Sequence, residues 1–241
     1  MDLSTIWEEL VRPDGGTIVY LVMDGLGGIP DATRGGTELQ VARSFVAQVR
    51  DVLADEKPAN MILLRGFDAY RPWPLLTERF GLTGVCVADY PMYRGVSRLL
   101  GMEVVPLPGG LEARFQALAS CDGEAYDFYF LHVKHTDSRG EDADFEAKVQ
   151  AIEAVDRLVP RVMALEPDVL VVTGDHSTPA VMGEHSWHPV PVLLRAPYAR
   201  VDRVSTFDED ACALGALGLR PGIHLMGLAL AHAGRLNKYG A

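Results

Sequence analysis

Cysteine is scarce in this chain. Only Cys86, Cys121 and Cys212 occur, widely spaced and odd in number. That pattern argues against a disulfide framework and a thiolate zinc cluster, and reduced, mostly buried thiols are expected instead. Also missing is any apolar run long enough to cross a bilayer. The segment Met1–Asp14 carries Glu8 and Glu9 and lacks the basic-then-apolar order of a signal peptide, so a cytoplasmic protein is expected. Positive charge is in deficit: 22 Lys and Arg stand against 33 Asp and Glu, a formal net charge of −11. Such a chain has no general electrostatic attraction for nucleic acid or an anionic membrane. Internal repeats, low-complexity tracts and linkers are absent too, and one domain over 1–241 is expected.

What is present suits a large core. Hydrophobic residues make up 48% of the chain and charged ones 23%, the balance of an ordinary globular protein. Thr17–Met23 is a short β-branched apolar run that stops at Asp24-Gly25, as a strand buried on both faces would. Similar runs recur at Asn60–Leu64, Gly84–Ala88, Tyr126–Val133, Asp168–Thr173 and Val190–Leu194. Between them, Val41–Leu53, Tyr93–Leu100 and Leu111–Ala119 are helix-like. Phe145, Val149, Ile152, Val155 and Val159 form an amphipathic stripe that Pro160 should end or kink. The alternation predicts an α/β fold, a mostly parallel sheet sandwiched by helices.

Residues with metal-ligand chemistry cluster where predicted strands end. Asp24 follows the first strand, Asp137 and Glu141 follow the one ending near Val133, and Asp175 and His176 follow Thr173. His185 and His188 precede the strand near Val190. Open α/β sheets bind ligands outside the carboxyl ends of their strands, where these positions could converge. Mixed Asp, Glu and His donors suit manganese, cobalt or zinc, and two such ions can clamp the oxygens of an in-line phosphoryl transfer. Each signal has an ordinary alternative. Asp24-Gly25 also reads as a turn, Asp175–Thr178 as a polar loop or helix cap, Asp137 and Glu141 as helix-entry acids, and the two histidines as surface loop residues.

The strings Val172-Thr173-Gly174-Asp175-His176-Ser177-Thr178-Pro179 and His185-Ser186-Trp187-His188-Pro189-Val190-Pro191 carry more than spacing. With Met23–Gly27, Gly35–Leu39, Ala59–Gly66, His132–Lys134, Thr136–Asp142 and Lys238–Ala241, they resemble the archaeal-type 2,3-bisphosphoglycerate-independent phosphoglycerate mutases of the alkaline phosphatase superfamily. The resemblance runs in order along nearly the whole chain. It implies an alkaline-phosphatase-like core and interconversion of 3- and 2-phosphoglycerate, a glycolytic step, at two divalent ions. One ion would be held by Asp24, Asp175 and His176, the other by Asp137, His185 and Glu141, a position where many relatives have His. The resemblance also implies Lys134, Arg65 and Arg94 as phosphate or carboxylate contacts for a small phosphorylated acid, with His188 a substrate candidate at best. It leaves the oligomeric state open.

One departure stands out. In the family, the segment matched by Gly35–Ala42 leads to a serine nucleophile in a Gly/Pro-rich turn and then to a substrate-covering domain. Here Ala42-Arg43-Ser44 runs straight into Phe45-Val46-Ala47-Gln48, which resembles the return helix. A deletion near 43–45 is expected, with the nucleophile segment gone. Ser44 does not match the nucleophile motif, and Thr37 matches a non-nucleophilic position. Besides the mutase, the residues leave open a reduced metal-dependent phosphatase and a non-catalytic metal-binding core.

Overall fold

The computed structural model describes residues 38–55, 62, 72–106, 109–121 and 123–236. Asp24, Arg65, Thr37, the expected strand at 17–23 and all of that at 60–64 except Ile62 lie outside the described residues. The chain divides into two compact units, Met1–Arg71 and Pro72–Ala241. In the first, the described structure is helix α1, Glu38–Val52, followed by a turn. Ser44 sits in the middle of this helix, exposed, with the Gln48 amide donating to its hydroxyl at 3.3 Å.

The second unit is built in chain order from α2 (Leu76–Phe80), β1 (Gly84–Val87), α3 (Pro91–Leu99), β2 (Glu103–Val104) and α4 (Leu111–Ala119). It continues with β3 (Phe128–Leu131), α5 (His135–Glu141), α6 (Phe145–Asp156), α7 (Val159–Met163), β4 (Leu170–Thr173), β5 (Val192–Arg195), α8 (Glu209–Leu214) and α9 (His224–His232). Strands β2, β1 and β3 form a parallel sheet in that order, with Val85 beside Glu103 and Cys86 beside Phe130. Every residue of β1 is buried, because helices cover both faces of a central parallel strand. Burying a valine such as Val85 or Val87 stabilises the fold by roughly 1.5–3 kcal/mol. Leu76, Leu82, Cys86, Ala88, Met102 and Leu230 pack into one core, with Tyr93 and Phe130 against it.

Strands β4 and β5 pair antiparallel, with Thr173 opposite Val192. Strand β5 begins two residues later than the apolar run suggests, because Pro189 and Pro191 have no N–H to give a ladder. Helix α6 forms where its stripe predicts and is capped by the Asp144 carboxylate, which accepts from the Ala147 amide at 2.9 Å; such caps contribute about 1 kcal/mol. Phe145 and Ile152 of that stripe nevertheless stay exposed. Pro160 lies in the first turn of α7, where its missing N–H costs nothing.

Candidate metal centre

Two local features bring the polar residues together. Helix α5 starts four residues beyond β3 and places Asp137 and Glu141 one turn apart, on the same face. The antiparallel pairing then folds the end of β4 onto the start of β5. An isolated bridge between Ser177 and Ser186 continues it, with the Ser186 amide donating to the Ser177 carbonyl at 2.8 Å. His176 and His185 therefore meet, with ring centroids 3.9 Å apart.

Asp137, His176 and His185 offer ligand atoms that all lie within 4.8 Å of one another. His185 Nε2 is 3.5 Å from Asp137 Oδ1 and 3.4 Å from Glu141 Oε1. Ligand atoms around a tetrahedral ion with bonds of ~2.1 Å stand about 3.4 Å apart, and each of these two oxygens lies at about that distance from the His185 nitrogen. On its other edge, His176 Nε2 lies 3.6 Å from Asp175 Oδ2. His176 thus stands between the two ligand groups expected from sequence, its Nδ1 3.8 Å from Asp137 Oδ1. The donors are imidazole nitrogens and carboxylate oxygens, which suit a borderline divalent metal.

Asp137 is the hub, its side chain 12% exposed. Burial alone would raise its pKa. Hydrogen bonds from Lys134 and Thr178, with the positive charge of Lys134, outweigh that and hold the carboxyl below the usual carboxylate range. The same hydrogen bond raises the Lys134 pKa, and the Lys134 ammonium also lies 5.0 Å over the Tyr90 ring.

Three partners escaped the sequence reasoning. Thr178 donates its hydroxyl to Asp137 Oδ1 at 2.5 Å, and Lys148 donates to its carbonyl. Tyr93 donates its hydroxyl to Asp175 Oδ2, and its ring stacks on His132 with centroids 3.8 Å apart. Thr178 stood inside the Val172–Pro179 string, so a signal existed; Tyr93 looked like one more helix residue.

The Arg94 guanidinium donates to the carbonyls of Ala88 and Val105, at 2.8 and 3.0 Å, tying the ends of β1 and β2 together. His188 stacks on Trp187 and pairs through Nδ1 with the Ser186 hydroxyl. Beside Lys134 a cleft of about 300 Å³ is lined by Asp89, Tyr90, Pro91, His135 and Ser138. Next to it lies the fully buried Arg114, paired with Asp89 at 2.8 Å.

A parallel α/β unit with a carboxylate–imidazole cluster beyond its strand ends defines an alkaline-phosphatase-like fold with a candidate metal centre. The chain belongs to the metalloenzyme superfamily, whose family model matches residues 16–232, and that membership implies use of divalent metal. A probable 2,3-bisphosphoglycerate-independent phosphoglycerate mutase of Thermus thermophilus is 49% identical over 197 residues, 80% of this chain and 48% of that protein. One of the same name from Deinococcus radiodurans is 46% identical over 82% of this chain and 49% of its own length. The chain thus spans about half the length of the curated relatives it matches. Among solved structures, a Pyrococcus horikoshii protein superposes with TM-score 0.72 at 30% identity, covering 84% of this chain and 59% of that one. The cofactor-independent phosphoglycerate mutase of Thermoplasma acidophilum shares the fold, with TM-score 0.55 at 24% identity over 80% of this chain and 52% of its own. The resemblance and fold class drawn from the motifs are borne out.

Proposed function

We propose that this chain is the metal-binding core of a phosphoglycerate-mutase-type protein, acting on a small phosphorylated acid at two divalent ions of manganese, cobalt or zinc. The convergence of Asp137, His176 and His185 carries this reading. In this reading Glu141 and His185 complete one ligand group with Asp137, and Asp175 and His176 belong to the other, for which the motif resemblance names Asp24. When bound, such ions neutralise phosphate charge and activate an oxygen nucleophile. Lys134, held at Asp137, keeps a cation beside the site for a phosphate or carboxylate group, and Arg65 and Arg94 remain candidates for that role. A cytoplasmic location and the loss of a covering domain near 43–45 belong to the same reading. It is supported by relatives that carry the mutase name, of whose length the matched segment covers about half.

A second reading is favoured by Ser44. It lies mid-helix in α1 rather than in a turn, and interconversion in this class needs a serine that takes the phosphoryl group covalently. Without that serine the site is left with hydrolysis of small phosphate esters. Incubating the manganese-loaded chain with 3-phosphoglycerate separates the two. 2-Phosphoglycerate with a trappable phosphoserine supports the mutase; inorganic phosphate alone supports the phosphatase. Neither product from a folded, metal-loaded sample refutes both and leaves a non-catalytic core.

A further inference from the structure

Thr178 is 4% exposed and lies between the two ligand groups. Its hydroxyl oxygen is 2.5 Å from Asp137 Oδ1 and 3.0 Å from His176 Nδ1. Its carbonyl oxygen accepts from Lys148 and lies close against Gly140.

A hydroxyl has one proton to give. Asp137 is paired through its other oxygen with Lys134, so it is a carboxylate and can only accept. The Thr178 proton therefore goes to Asp137. The hydroxyl oxygen then has only lone pairs to present to His176, so Nδ1 must carry the N–H. A neutral imidazole has one N–H, and which nitrogen keeps it is set by the hydrogen bond the other makes. His176 Nε2 is then bare, facing the Asp175 carboxylate at 3.6 Å. A lone pair against a carboxylate is unfavourable unless a cation lies between them.

We propose that Thr178 is a positioning residue that fixes His176 as its Nδ1–H tautomer and locks that ring to Asp137, so that one hydroxyl aims ligand atoms of both groups. This rests on the metal reading of the site, and removal of such outer partners typically lowers metal affinity 10–100-fold.

The test uses the full chain, stripped of metal, with ¹⁵N-labelled histidine at pH 8; the His176 ring is assigned by its loss in His176→Gln. Long-range ¹H–¹⁵N correlation is expected to show Nδ1–H in the wild type and in Thr178→Ser. Thr178→Val, or Thr178→Ala where Val does not fold, is expected to release the ring to a mixture or to Nε2–H. Titration with manganese should then show affinity at least ~10-fold weaker for Val or Ala and within about threefold of wild type for Ser. Nε2–H in the wild type overturns the proposal, as does a Val or Ala variant that keeps both tautomer and affinity. A wild type that binds no metal yet shows the Nδ1–H tautomer, lost in Val, sinks the metal reading while the tautomer assignment stands.

Discussion

Gly140 abuts the carbonyl of Thr178 so closely that a Cβ on it would collide with that oxygen and press on the Thr178 side chain. Helix α5 can bring Asp137 up to the Thr178 hydroxyl only because this position has no side chain. Gly140→Ala is therefore expected to destabilise the fold by about 1–3 kcal/mol, the usual cost of overpacking, despite alanine's better helix propensity. Urea denaturation would show it as a lower midpoint at constant slope. An unchanged or raised midpoint would mean that the contact relaxes freely.

Tyr93 reaches Asp175 with its hydroxyl while its ring leans on His132. Tyr93→Phe keeps the stacking and removes only the hydrogen bond. Fold stability should change by no more than about 1 kcal/mol, while manganese affinity falls ~10-fold because the Asp175 carboxylate loses its orienting partner. Equal affinity in calorimetry would show that Asp175 needs no such partner.

Burial pushes the His132 pKa down, and the charges of Lys134 and Arg114 add to that, against the opposing pull of Asp89 and Asp137. A histidine held below its unfolded value of about 6.5 contributes stability that is fully present above that pH. This stability is lost as pH falls through the lower folded value. Between pH 7 and pH 5 the wild type should lose more stability than His132→Phe, measured as the change in urea midpoint in metal-free protein. Parallel curves for the two proteins would contradict this.

Glu141 Oε1 lies 3.4 Å from His185 Nε2, and the proposed ligand group takes an oxygen from it. Glu141→His should shift preference from manganese toward zinc or cobalt, as nitrogen replaces a hard donor. Competition titrations with paired metals would register a changed ratio of affinities; an unchanged ratio would place Glu141 outside the coordination sphere.

Helix Leu111–Ala119 was legible to the residue in the sequence, because an apolar pattern bounded by Gly110 and Ser120 leaves little freedom. Helix α5 was not. Its seven residues, HTDSRGE, carry no apolar stripe and look like a polar loop, yet this helix sets Asp137 and Glu141 in register. The meeting of His176 with His185 depends on β4 and β5 running antiparallel. Two short apolar runs read alike in either direction, so spacing could name both histidines but could not bring them together. The motif strings named the candidate donors and contained Thr178, whereas the contacts of Thr178 and Tyr93 became visible only where distant segments meet.

The most direct test is metal content. The full chain would be equilibrated with manganese or zinc, passed through gel filtration and analysed for bound metal beside Asp137→Ala and His185→Ala, with circular dichroism confirming that all three are folded. Metal retained by the wild type and strongly reduced in both variants is the expected result. A folded wild type that binds none, or variants that bind as much as the wild type, would contradict the assignment of Asp137, His176 and His185 as a metal centre.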